Sequence, residues 1–80
     1  MADETNFTVY PNPFNESITV SSGAGLKSTA SLYNVLGEKV FVWKISNQKE
    51  VLSTTGLNPG IYILQIQSGN NTSMKKLVKE

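Results

Sequence analysis

Short β-rich runs recur along this chain about every ten residues, each closed by turn-forming residues, and that rhythm constrains the fold more than any other feature. Phe7-Thr8-Val9-Tyr10 is stopped by Pro11-Asn12-Pro13, whose two prolines cannot donate to a sheet ladder. Ile18 and Val20 alternate with Ser17, Thr19 and Ser21, which predicts a half-buried strand that Ser22-Gly23-Ala24-Gly25 ends. Thr29 to Tyr33 follows, with Ala30 and Leu32 on one face, and Asn34-Val35-Leu36-Gly37 reads as a turn with Gly37 free to take positive φ. Val40 to Ile45 is apolar on both faces until Lys44, which predicts a central strand covered on both sides, or one whose outer face a loop masks.

The second half repeats the pattern. Ser46-Asn47-Gln48-Lys49 is a polar turn before the short run Val51-Leu52-Ser53. Pro59 and Gly60 suit the second and third positions of a type II turn. The strand after them places Tyr62, Leu64 and Ile66 on the expected core face. Ser68-Gly69-Asn70-Asn71 is a hairpin turn, and Thr72 to Lys79 returns as an antiparallel last strand. The fold class is therefore all-β, an immunoglobulin-like β-sandwich of about seven antiparallel strands, with Trp43 a candidate plug between the sheets.

Composition narrows what such a sandwich does. The 80 residues hold no cysteine and no histidine, so disulfides, Cys/His zinc sites and Cys–His or Ser–His nucleophile pairs are excluded. Stability must come from the hydrophobic core, which in a chain this short supplies about 3–5 kcal/mol net. Seven lysines, no arginine and six acidic residues give a net charge of +1. That is too weak a field to argue for nucleic acid or a membrane surface.

The carboxylates Asp3, Glu4, Glu16, Glu38, Glu50 and Glu80 fall in turns, at strand edges or at termini, as solvated charge does. Asp3-Glu4-Asn6 is the one local oxygen cluster, and it lies at a terminus. Four Asn-x-Ser/Thr matches begin at Asn6, Asn15, Asn70 and Asn71 and mark loops. The expectation is a protein that is not an enzyme, with no cofactor, no metal, no nucleic-acid partner and no transmembrane segment.

Residues 1–6 are polar and acidic and carry no export signal, so they read as a linker remnant or an added start, with 7–80 a single domain. The other end differs. Lys75, Lys76 and Lys79 lie among the last six residues, interleaved with Leu77 and Val78, so neither face of the last strand is cleanly apolar. Such a strand belongs at a sheet edge or contains a bulge. Its lysines either blunt the edge against aggregation or serve as a handle that another protein reads, for instance by strand addition, and composition alone favours the first.

Four blocks in order carry a resemblance. They are Tyr10-Pro11-Asn12-Pro13-Phe14-Asn15 with the strand after it, Leu32 to Val40, Leu57-Asn58-Pro59-Gly60-Ile61-Tyr62, and Lys75-Lys76-Leu77-Val78-Lys79. Together they resemble the C-terminal sorting domain of the bacterial type IX secretion system. The resemblance implies a non-catalytic signal that directs a fused cargo protein through the outer-membrane translocon, for release or cell-surface attachment.

The implied partners are the type IX translocon, a sortase-like cell-surface peptidase and an upstream cargo domain in the same precursor. The implied localisation is secreted or cell-surface, by way of the periplasm. By motif position Lys75, Lys76, Leu77, Val78 and Lys79 form the implied recognition segment, while Pro11, Pro13, Gly37, Gly60 and Tyr62 are structural. The Pro-Asn-Pro-Phe-Asn form also occurs in related accessory sandwich modules. The alternative function is accordingly a passive immunoglobulin-like spacer or a carbohydrate-binding module, for which Phe7, Tyr10, Phe14 and Tyr33 would have to form an exposed aromatic row.

Overall fold

A computed structural model describes residues 7–22 and 27–80, with Ser22 and Asn71 described by their backbone alone. The strands are β1 (Phe7–Tyr10), β2 (Ser17–Ser22), β3 (Ser28–Tyr33), β4 (Lys39–Ile45), β5 (Lys49–Ser53), β6 (Gly60–Ser68) and β7 (Asn71–Lys79). They form a three-stranded sheet of order β1-β2-β5 and a four-stranded sheet of order β4-β3-β6-β7, with every pairing antiparallel. This is the expected immunoglobulin-like sandwich. The expected stop at Gly23-Ala24-Gly25 and the acidic cluster before Phe7 lie outside the described residues.

The period-2 alternation decides which side chains meet between the sheets. Phe7, Ile18, Val20 and Leu52 point inward from the three-stranded sheet, facing Ala30, Leu32, Ile45, Tyr62, Leu64, Ile66 and Leu77 from the other. Phe14 joins them from the loop between β1 and β2 and is fully buried. Burying each aliphatic or phenyl side chain of this core contributes about 1.5–3 kcal/mol, set against the entropy of ordering the chain.

Three local expectations need correction. The run Val40 to Ile45 is the edge strand of its sheet, not a central one, and Val42 on its outer face is 49% exposed. Its two-sided apolar pattern has a different cause. A register irregularity between Leu32 and Tyr33 brings both Val40 and Phe41 against the core, while Val42 faces outward.

Trp43 does not plug the centre. It lies on the inner side of this edge strand, half-buried and stacked on Phe41 with ring centroids 5.2 Å apart. The type II geometry fits a site four residues before Gly60. Leu57 N–H donates to Thr54 C=O at 3.4 Å with Gly56 third in the turn at φ +95°, whereas Gly60, at φ +151°, is already the first residue of β6.

Candidate recognition surface

The last strand is held on both sides, by different means. Along its inner edge β7 pairs with β6 in unbroken register, from Ser68 opposite Asn71 to Gly60 opposite Lys79. It is an edge strand without a bulge, one of the two expected forms. The register also splits the terminal segment. Leu77 lies opposite Tyr62 and is buried, so Lys75 and Lys79 share the sandwich side of the strand with it. Lys76 and Val78 lie on the outer face, opposite Ile63 and Ile61. A lysine on the inward side of an edge strand discourages pairing with another chain, because its ammonium cannot be buried in a second sandwich.

The outer edge of β7 is closed from the far end of the chain. Asn12 Nδ2 donates to Lys76 C=O at 3.2 Å, and Val78 N–H donates to Asn12 Oδ1 at 3.0 Å. The Asn12 carboxamide thus offers β7 one donor and one acceptor, as a neighbouring strand residue would. Two residues later the main chain takes over. Phe14 N–H donates to Val78 C=O at 2.8 Å, Glu80 N–H donates to Phe14 C=O at 2.9 Å, and Phe14 runs parallel to the strand at Lys79.

The prolines Pro11 and Pro13 flank Asn12 in this segment and, lacking N–H groups, add no donor that would need a partner there. Asn12 is the residue that sequence reasoning missed. Its signal is faint, since an Asn between prolines reads as turn chemistry, and only the tertiary structure shows its amide serving as a surrogate peptide group. The closure covers Lys76 to Glu80, so strand addition at the basic end of β7 is blocked.

The other motif residues are structural. Tyr62 is buried, meets Phe14 edge-on at 6.3 Å between centroids, and donates from its hydroxyl to Asn58 C=O at 2.7 Å. A tyrosine at the start of the sixth strand bonded back to the preceding corner is the tyrosine corner of immunoglobulin-like domains. It pins the Asn58-Pro59-Gly60 approach to β6. Gly37, at φ +85°, closes the β3–β4 loop. There Gly37 N–H donates to Asn34 C=O at 3.0 Å, and Asn34 Oδ1 accepts from the amides of Leu36 and Glu38 at 2.9 and 3.0 Å. That network fixes a loop whose tip residues, Val35 and Leu36, are apolar and exposed.

The aromatics do not form a sugar-binding row. Phe7 and Phe14 are buried, and the partly exposed Tyr10 and Tyr33 lie on different sheets. Among the described residues no three acidic, His or Cys side chains gather where a metal ion could be held.

A latched C-terminal strand with split lysine faces, a Pro-Asn-Pro-Phe segment docked on it and a tyrosine corner at Gly60-Ile61-Tyr62 bring three of the four sequence blocks into one spatial unit. The model of the secretion system C-terminal sorting domain matches residues 8–80. The chain belongs to this family. An endo-acting ulvan lyase of Formosa agariphila is 31% identical over 72 residues, which are 88% of this chain and 14% of the lyase. The chain therefore spans about a seventh of that curated relative's length. The sorting domain is a C-terminal secretion signal of the type IX system, carried by a cargo protein that it directs out of the cell or to its surface. No helix among the described residues is long and apolar enough to cross a membrane.

Proposed function

We propose that residues 7–80 are a single non-catalytic sorting module behind a linker at 1–6, and that the type IX translocon reads the segment Lys75, Lys76, Leu77, Val78 and Lys79. A sortase-like cell-surface peptidase acts in the linker before Phe7 and joins the cargo to the surface or releases it. Pro11, Pro13, Gly37, Gly60 and Tyr62 serve the signal by shaping the sandwich around β7. No cofactor takes part. One observation carries this reading: β7 is anchored along both edges at its basic end while Lys75 and Lys76 remain exposed. A firmly held strand presents its side chains in fixed positions, which lowers the ordering cost of recognition.

The test uses the full precursor in a host with the secretion system. Deleting residues 75–80 removes the buried Leu77 together with the signal, so a second variant replaces Lys75, Lys76 and Lys79 with Glu and keeps Leu77 in place. The triple variant should melt close to wild type and leave the cargo in the periplasm. Wild-type secretion of the triple variant would overturn the assignment of the lysines.

A further inference from the structure

The outer face of the four-stranded sheet exposes Val42, Ile61, Met74 and Val78, whereas that of its partner sheet exposes only Tyr10 and Val51 among the described large apolar side chains. Reading across the strands by register, Val42, Ser31, Gln65 and Met74 form one row, Lys39, Tyr33, Ile63 and Lys76 the next, and Ile61 and Val78 a third. Tyr33, Ile61, Ile63 and Met74 line a shallow groove of about 750 Å³, with Val35 of the β3–β4 loop, Asn34 and Gln65 at its wall. Met74 is 65% exposed and Val35 74%. A soluble domain rarely leaves such side chains contiguous and open unless something covers them.

Charge on the face says what kind of cover fits. Lys39 and Lys76 close the two ends of the Tyr33–Ile63 row, and Lys39 Nζ lies 5.9 Å from the centre of the Tyr33 ring. Among the described residues no carboxylate lies in these rows. Glu38, beside Lys39 at the end of the loop, has its Oε1 taken by Asn34 Nδ2 at 2.9 Å, and Glu80 lies past the end of β7, beyond the third row. A second copy of the domain would set lysine against lysine. The hydrocarbon of a bilayer would leave the Gln65 amide unpaired. We infer that this face docks on a protein surface whose apolar ridge enters the groove between two carboxylates, one for Lys39 and one for Lys76. Given the sorting role proposed above, on which this inference rests, that surface belongs to the secretion machinery, and the latch on β7 holds Lys76 and Val78 in the plane of the face.

The experiment keeps clear of residues 75–79, so that this inference and the terminal-segment reading fail separately. Full precursors carrying Lys39→Glu, Ile61→Ser or Met74→Ser are compared with Val51→Ser and Lys49→Glu on the outer face of the three-stranded sheet. Cargo is measured in the medium and at the surface, and melting of the purified precursor is recorded. The first three should cut secretion at least tenfold with melting little changed, and the last two should secrete as wild type. Wild-type secretion of the first three overturns the docking face, whatever the terminal lysine variant does. An equal loss from Val51→Ser and Lys49→Glu overturns it as well. Binding of the precursor to anionic phospholipid vesicles that Ile61→Ser and Met74→Ser abolish would assign the face to lipid and equally overturn it.

Discussion

The two edges of the four-stranded sheet are protected in opposite ways. On β7 the polar edge from Lys76 to Glu80 is occupied by Asn12 and Phe14, more than sixty residues away in sequence. On β4 no chain segment among the described residues closes the outer edge, and protection falls to Lys39 and Lys44 flanking the stacked Phe41–Trp43 pair. A terminal strand paired on one side would fray, and a frayed end presents no defined surface. The closed edge is thus the one that carries the proposed recognition segment, and the loosely guarded edge carries no part of it.

The largest expected effect breaks this comparison at its hydrophobic anchor. Phe14→Ala removes a fully buried ring that touches Tyr62 and releases the segment that covers β7, so it should cost about 3–5 kcal/mol and leave so small a domain barely folded. Trp43→Ala on the open edge removes a larger but half-buried side chain and should cost about 2 kcal/mol. Urea titrations of both variants rank them, and a Trp43 loss equal to that of Phe14 would erase the asymmetry between the edges.

A smaller effect acts on β7 from its inner side. Gly60 lies opposite Lys79 and holds φ at +151°, a value essentially reserved for glycine, so Gly60→Val should destabilise by about 1–3 kcal/mol. A midpoint shift of that size would tie the glycine-only start of β6 to the register of the terminal strand. Coincident denaturation midpoints would mean that β6 starts equally well in a conformation open to every residue.

These sites also show how much was legible in the sequence. The alternation in Ile18/Val20, Ala30/Leu32 and Tyr62/Leu64/Ile66 determines which faces are buried, because a period of two leaves no other register for a one-sided apolar set. The turn at Gly37 was equally plain. Val40 to Ile45 misled, since apolar residues on both faces mean double coverage in a central strand but here combine a register irregularity with an exposed outer face. Gly60 misled because Pro-Gly is a strong turn signal. The type II geometry is instead at Thr54 to Leu57, and Pro59-Gly60 is held as the approach to a strand by the Tyr62 hydroxyl. For the candidate site, the terminal lysines were visible as a cluster, but their division between two faces depends on pairing with β6. The Asn12 contact crosses more than sixty residues, and no local pattern encodes such a contact.

The finest test of the two edges is Asn12→Ala, which leaves the core intact and removes only the surrogate peptide group. Its two hydrogen bonds lie at an exposed edge where water can replace them, so the loss should be about 1 kcal/mol, well below that of Phe14→Ala. Amide exchange reads the effect more sharply than stability does. Val78 N–H points away from β6 into Asn12 Oδ1, and in an antiparallel ladder the amides that face outward alternate along the strand, so Met74 N–H points the same way with no such cover among the described residues. In the wild type Val78 should therefore exchange slowly and Met74 fast. In Asn12→Ala the Val78 rate should rise towards that of Met74, while amides of β4 bonded to β3 stay unchanged. If Val78 remained protected in the variant, the Phe14 backbone alone would be closing the edge, and Asn12 would add only to the register of the latch.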